Sequence, residues 1–262
     1  MAEKKTELNP AEAKQAETGQ IGAGQTEPGQ AETKQAETKQ SGKPDGAVIV
    51  FSGGQDSTTC LFWAEKTYGI ENILAVSFYY GQKHEKELEA AEKITSKYGF
   101  SHMNLSLDFL KSISVCALTE DEIEMDKEIP EGEDYPNTFV PGRNLFFLSV
   151  AGVIARNNGW HNVITGVSQS DFSGYPDCRE EFIRSAEEAI TLATDYKIQI
   201  HTPLMNKTKA ETWKMAEDLD ILEIIADETV TCYNGTQGSG CGECPACTLR
   251  RKGWEEYQSG QY

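Results

Sequence analysis

The sequence lacks any long apolar run: no stretch approaches the roughly 20 consecutive apolar residues that a membrane-crossing helix requires. Residues 1–46 lack an apolar h-region, which argues against a secretory signal. Positive charge is scarce, with 24 Lys and Arg against 42 Asp and Glu and a formal net charge of −18. So acidic a chain is a poor partner for a polyanion, which argues against direct binding of tRNA or DNA. Seven cysteines, an odd number without a secretory signal, do not make a disulfide scaffold. The expected location is the reducing cytosol.

Apolar side chains are almost missing from the amino-terminal segment. Residues 11–40 run in five-residue units such as Ala31-Glu-Thr-Lys-Gln35 and Ala36-Glu-Thr-Lys-Gln40. A segment of this kind cannot offset its ordering entropy by burial, so residues 1–46 read as a disordered repetitive extension. They hold eight acids and six lysines, which leaves about −16 of the charge on the remainder.

What the chain does have begins at Ala47. The run Ala47-Val48-Ile49-Val50-Phe51 is short and uninterrupted, as a strand buried on both faces should be. Ser52-Gly53-Gly54-Gln55-Asp56-Ser57 follows, and Thr58 to Tyr68 has helical spacing. Strand, glycine loop and helix aim backbone N–H groups and a positive helix end at one point. Gly53 and Gly54 admit an anion close to the main chain, Ser52 and Ser57 add hydroxyls, and Asp56 suits a helix cap or a metal ion near phosphate. The stretch reads as a phosphate cradle, and an ordinary strand-to-helix turn is the plainer alternative. No Gly-Lys-Ser/Thr closes it, so it is not a Walker loop.

Downstream, strands are expected at Ile73–Phe78, Met103–Leu107, Val163–Val167 and Ile198–Ile200. Helices are expected at about Glu85–Tyr98, Leu145–Asn157, Asp177–Ala193 and Lys209–Leu219. The alternation predicts an α/β fold, a doubly wound and mostly parallel sheet, over residues 47–225. Its ligands belong beyond the carboxyl ends of the strands. Residues 119–138, rich in acid and proline, read as a mobile loop able to close over a site.

Residues 226–262 read as a metal-binding segment packed on the same domain. Cys232, Cys241, Cys244 and Cys247 stand at C-x8-C-x2-C-x2-C among Gly235, Gly238, Gly240 and Gly242. Four thiolates at that spacing complete a tetrahedral structural zinc site; an iron–sulfur cluster takes the same ligands, and four unligated thiols are the plainer alternative. Cys60, Cys116 and Cys178 read as packed residues.

The Ser-Gly-Gly-x-Asp-Ser loop resembles the pyrophosphate loop of the ATP pyrophosphatases, of the Rossmann-like adenine nucleotide alpha hydrolase type. With Tyr80-Gly-Gln-Lys-His84, Asn137-Thr-Phe-Val-Pro-Gly-Arg-Asn144, Asp171-Phe-Ser-Gly-Tyr-Pro-Asp-Cys-Arg179, Lys209-Ala-Glu-Thr-Trp213 and Cys232-Tyr-Asn-Gly235, the chain resembles the QueC family, the 7-cyano-7-deazaguanine synthases, over about Ala47–Tyr257. The amino-terminal extension has no counterpart in that resemblance.

The resemblance implies conversion of 7-carboxy-7-deazaguanine to its nitrile with ATP-Mg²⁺ and ammonia, in queuosine biosynthesis, by a homodimer. It implies that Phe51, Ser52, Gly53, Gly54, Gln55, Asp56, Ser57 and Thr58 hold ATP, with Asp56, Lys209 and Arg143 catalytic. Asp171, Tyr175, Asp177 and Arg179 are then the residues for the base, and His84 a proton relay or a packed histidine. A tRNA-thiolating pyrophosphatase is the rival reading. A non-enzymatic module, whose cysteine knuckle binds a partner and whose loop is a relic, is the second. A family variant that stops at the amide, or passes the activated acid to another acceptor, is the third.

Overall fold

The computed structural model describes residues 45–82, 86–114, 116–120, 122–124, 131–170 and 174–262. Residues 1–44 of the repetitive extension, His84 and Asp171 lie outside them, as do residues 121 and 125–130 of the acidic loop; the loop's described residues contain no helix or strand.

Five strands pair in parallel: β1 (Ala47–Val50), β2 (Ile73–Tyr79), β3 (Ser101–Ser106), β4 (Asn162–Ile164) and β5 (Gln199–His201), in the order β3-β2-β1-β4-β5. Strand periodicity sorts β1 into two cores. Ala47 and Ile49 join one face with Leu61, Ile94, Trp213 and Ala216, while Val48 joins the other with Phe147, Leu148, Ile183 and Ile190. The first core is built on helices α1 (Gln55–Tyr68) and α2 (Lys86–Tyr98). After the short α3 (Phe109–Ile113), α4 (Arg143–Asn158) and α5 (Glu180–Thr194) cover the second. The α/β class and the doubly wound parallel sheet are therefore as the alternation predicts.

Boundaries moved where local chemistry decides them. Helix α1 starts at Gln55, three residues before the apolar spacing begins, because Thr58 N–H already bonds Gly54 C=O at 3.0 Å. Helix α5 starts at Glu180; Pro176–Cys178 form a separate 3₁₀ turn. Apolar spacing in α5 places Phe182, Ile183, Ala186, Ala189 and Ile190 on one face; of these Ala189 is exposed, and Ile183, Ala186 and Ile190 carry the buried stripe.

The carboxyl-terminal third adds α6 (Lys209–Asp218), α7 (Leu222–Glu228) and α8 (Pro245–Gln258). Sequence spacing gave no sign of the last two. A capping box opens α6: Thr208 Oγ1 accepts from Glu211 N–H at 3.1 Å, and Glu211 Oε2 accepts from Thr208 N–H at 2.7 Å. That box fixes Lys209 at the first position of its helix. Helix α8 crosses α6 at Gly253, where a Cβ would collide with the Lys209 side chain and come within 2.9 Å of its carbonyl carbon. Gly253→Ala is therefore expected to cost about 1–3 kcal/mol by overpacking, read as a lower urea midpoint with unchanged slope.

Candidate active site and four-cysteine centre

The strand order reverses its direction of growth between β1 and β4, so a crevice opens beyond their carboxyl ends. The loop after β1 forms one wall and Gly166, after β4, the other. A Cβ on Gly166 would lie 3.0 Å from the Asp56 carbonyl carbon, so β4 abuts the start of α1. Phe51 buries its ring in the first core and continues the sheet through its N–H to Val76 C=O at 2.9 Å.

The loop is fastened from within. Ser57 Oγ accepts from Ser52 N–H at 3.2 Å and donates to Gly54 C=O at 3.2 Å, while Ser52 Oγ accepts from Gly54 N–H at 3.3 Å and lies 3.1 Å from Ser57 Oγ. Gly53 sits at φ +79°, and a Cβ there would meet Ala91 N at 2.6 Å and Glu87 O at 2.7 Å. Its missing side chain thus serves close packing on α2 as well as a left-handed backbone.

Four buried side-chain atoms here have no partner among the described residues: both amide atoms of Gln55, Asp56 Oδ1 and Thr58 Oγ1. A buried polar atom left unpaired costs about 1–3 kcal/mol. Four such atoms on one turn, at the positive end of a helix, mark a place built for a polar ligand. The other Asp56 oxygen accepts from Lys209 Nζ at 2.7 Å, with Lys209 only 8 % exposed at its side chain. Thr58 is fully buried.

Arg143 opens α4 behind Gly142, which is left-handed at φ +74°. Its Nη1 donates to Tyr80 Oη at 3.2 Å, and its guanidinium lies 5.4 Å from the Tyr80 ring centre. Asp177, buried at the 3₁₀ turn, accepts from Asn144 N–H through Oδ2 at 3.1 Å and so caps α4. Tyr175 is buried, hydrogen-bonds Thr138 Oγ1 at 2.7 Å and stacks on Phe139 at 5.4 Å. Arg179 is exposed and borders an open cleft with Phe139, Asp177 and Phe182. The fold thus groups Arg143, Tyr175 and Asp177, and separately Asp56 with Lys209.

Two residues not singled out by sequence join the Arg143 group. Burial pushes the Glu87 carboxyl up to about 7, against the opposing pull of Arg143. Burial also raises the Tyr233 hydroxyl well above its ordinary value, with Tyr175, Arg143 and Glu87 as its charged or polar neighbours. Glu87 sits on the charged first turn of α2 with no distinguishing pattern, whereas Tyr233 lies inside the Cys232-Tyr-Asn-Gly235 segment without a role read for it.

The four cysteines converge at the carboxyl-terminal segment, with all four sulfurs within 4.8 Å of one another. Cys241 Sγ and Cys247 Sγ stand 3.9 Å apart. A tetrahedral ion with sulfurs at about 2.3 Å has edges near 3.8 Å, so the set fits a single metal. N–H groups already point at the sulfurs: Asn234 N to Cys232 at 3.3 Å and Cys244 N to Cys241 at 3.4 Å. Backbone N–H groups of Glu243 and Cys244 pull the Cys241 thiol down to about 6, toward the thiolate that metal binding requires. A Cβ on Gly240 would collide with the Cys247 sulfur. The remaining cysteines, Cys60, Cys116 and Cys178, are buried or partly buried.

This segment also grips the loop. Val230 N–H donates to Gly53 C=O at 3.0 Å, and Gln55 N–H donates to Thr231 Oγ1 at 3.1 Å. Behind Thr231 lies Arg250, 4 % exposed, which donates to Thr229 Oγ1 at 2.8 Å and Thr231 Oγ1 at 2.9 Å. Arg250 stands next to Arg251 and Lys252, and nothing local in the sequence marks it as buried.

The family model "Queuosine biosynthesis protein QueC" matches residues 46–258. The 7-cyano-7-deazaguanine synthase of Clostridium botulinum (strain 657 / Type Ba4) is 56 % identical over 212 residues, 81 % of this chain and 95 % of that protein. That of Phocaeicola vulgatus is 54 % identical over 211 residues, 80 % of this chain and 93 % of its own length. Among solved structures, NMN synthetase from Francisella tularensis aligns at TM-score 0.44 and 14 % identity, covering 84 % of this chain and 79 % of that one. A match across the whole sheet, the loop and the cysteine segment, at more than half identity to curated relatives, makes this chain a member of the QueC family.

Proposed function

We infer that the chain is a carbon–nitrogen ligase that converts 7-carboxy-7-deazaguanine and ammonia to 7-cyano-7-deazaguanine at the expense of ATP. The reading rests on family membership and on one observation: buried, unpartnered polar atoms of Gln55, Asp56 and Thr58 behind a serine–glycine loop at a helix N-terminus.

A carboxylate resists attack because its leaving group would be oxide. Transfer of AMP from ATP onto a carboxylate oxygen gives that oxygen a good leaving group and releases pyrophosphate. The residues from Ser52 to Thr58 hold the phosphates, with Phe51 anchoring the loop; Asp56 Oδ1 would hold Mg²⁺, which offsets the charge of the departing pyrophosphate. Lys209 and Arg143 supply cations at the two ends of the reacting group. The ammonia lone pair then attacks the acyl carbon, the bond to AMP breaks and nitrogen loses a proton, leaving the amide. A second AMP transfer, onto the amide oxygen, and loss of both remaining N–H protons expel AMP and form C≡N.

Asp171, Tyr175, Asp177 and Arg179 receive the deazaguanine edge and face. The buried tyrosine ring offers a stacking surface, and the carboxylates accept from N–H donors of the base. Ammonia comes from solution or a partner protein. The four cysteines hold zinc, which closes the segment structurally and leaves no position for water. A homodimer, as the resemblance implies, would cover exposed Phe109, Ile113 and Leu145. No helix among the described residues is long and apolar enough to cross a membrane. A reducing, cytosolic setting suits four thiols gathered for a metal.

Mass spectrometry of products from the deazaguanine acid, ATP-Mg and ammonium tests the reaction. The nitrile, AMP and pyrophosphate are expected, and Asp56→Asn should lower turnover by about 10²–10³ while keeping metal. ADP as the nucleotide product would refute the mechanism, and amide as the end product would favour the variant that stops early.

Cys244→Ser should release the metal and lower the melting temperature; a full metal content with unchanged melting would refute a structural site.

Glu87 generates a pH dependence. The folded carboxyl keeps its proton up to about 7, whereas the ordinary value is 4.5. The folded state therefore binds more protons across that window, and stability falls as pH rises through it. Glu87→Gln should gain on the wild type from about pH 5 to about pH 8, by about 1–2 kcal/mol at the upper end, in urea unfolding of the ligand-free protein.

A further inference from the structure

Thr231 immediately precedes the first of the four cysteines, and its hydroxyl lies over the start of α1. The oxygen receives two N–H donors, Gln55 N at 3.1 Å and Arg250 Nη1 at 2.9 Å. A hydroxyl oxygen has two lone pairs and one proton, so both acceptor positions are used. Its proton has no protein acceptor among the described residues.

Neighbouring hydroxyls differ. Thr229 also accepts from Arg250 but donates to Ile225 C=O at 2.7 Å. Ser57 donates to Gly54 C=O at 3.2 Å, and Ser52 lies 3.1 Å from Ser57 Oγ. Thr229 is fully buried, whereas Thr231 is partly exposed.

Three further features aim that proton at an anion. Gly54 lies beside Thr231: a Cβ there would sit 3.8 Å from Thr231 Oγ1 and press on Ser52 Oγ at 3.3 Å and Val230 O at 3.4 Å, so glycine keeps the hydroxyl uncovered. Unpartnered, buried Gln55 lies on the same helical turn, with only 1 % of its surface exposed. Arg250 is a buried cation whose partners are hydroxyls and backbone carbonyls of Ile225 and Ala226, and it stacks 5.1 Å from the Trp213 ring. A cation donating to a hydroxyl oxygen withdraws electron density and makes the O–H a stronger donor.

We propose that Thr231 is a nucleotide-binding residue: its hydroxyl donates to a phosphate oxygen of ATP seated on the loop, polarised from behind by Arg250. The contact rests on the reading that the loop holds the phosphates. It makes the metal-binding segment a direct participant in nucleotide binding.

The test uses the full-length, metal-loaded protein. ATP-Mg binding is measured by calorimetry without the deazaguanine acid, and KM is measured separately for ATP and for the acid. Thr231→Val should weaken ATP binding by about tenfold to a hundredfold, the range for one hydrogen bond to a charged group. Metal content and KM for the acid should stay unchanged, and Thr231→Ser should restore ATP affinity to within about threefold of wild type. Thr231→Ala is run beside the valine form, so that crowding by a second methyl cannot imitate loss of the hydroxyl. Unchanged ATP affinity in either variant, or loss of metal from both, overturns the proposal while leaving the loop assignment standing. A wild-type protein that binds no ATP overturns the loop assignment and this contact together.

Discussion

One hydroxyl ties the start of α1 to the segment that carries the cysteines. Thr231 Oγ1 takes the first helical N–H of α1 and the Arg250 guanidinium at once. The loop after β1 is therefore held from three directions: by its own serines, by the backbone of α2 under Gly53, and by the segment leading into the cysteines. Each contact replaces a water partner with a fixed one. A preorganised loop of this kind needs little rearrangement when a charged ligand arrives, which is where electrostatic stabilisation gains its strength.

Charge is distributed to the same end. The chain is strongly acidic overall, yet Lys209 and Arg250 are buried and Arg143 is partly buried. Lys209 is paired with Asp56, whereas Arg250 is bonded to neutral oxygens. A cation bonded to neutral dipoles keeps more of its field available to a nearby anion than one neutralised by a carboxylate. The net charge of the chain thus says little about the cations gathered inside it.

Much of this was legible in the sequence. The β-branched run at Ala47–Val50, the glycine–serine loop and the alternation of apolar runs with helical spacing led to the parallel sheet and to the end at which ligands belong. The cysteine spacing led to a cluster whose sulfurs do converge. Less legible was anything that depends on contact between distant segments. Gly53 reads as room for an anion, yet its neighbour is the α2 backbone. Helix α8 has only a scattered apolar face because Gly253, rather than a large side chain, makes its closest approach to α6. Arg250 looks solvated because its partners are carbonyls and hydroxyls from α7 and the strap that follows, which no local pattern can reveal. Glu87 is one acid among several on its turn, and only the packing around it separates it from the rest.

The hydrogen bond from Gln55 to Thr231 spans 176 residues of chain. During synthesis the sheet strands emerge before the cysteine segment, since a ribosome delivers the chain from its amino end. A nascent molecule can thus assemble β1 to β5 before Thr231 exists to tether the start of α1. The loop after β1 therefore gains its last tether late, once the strap from Thr229 to Cys232 has joined the fold.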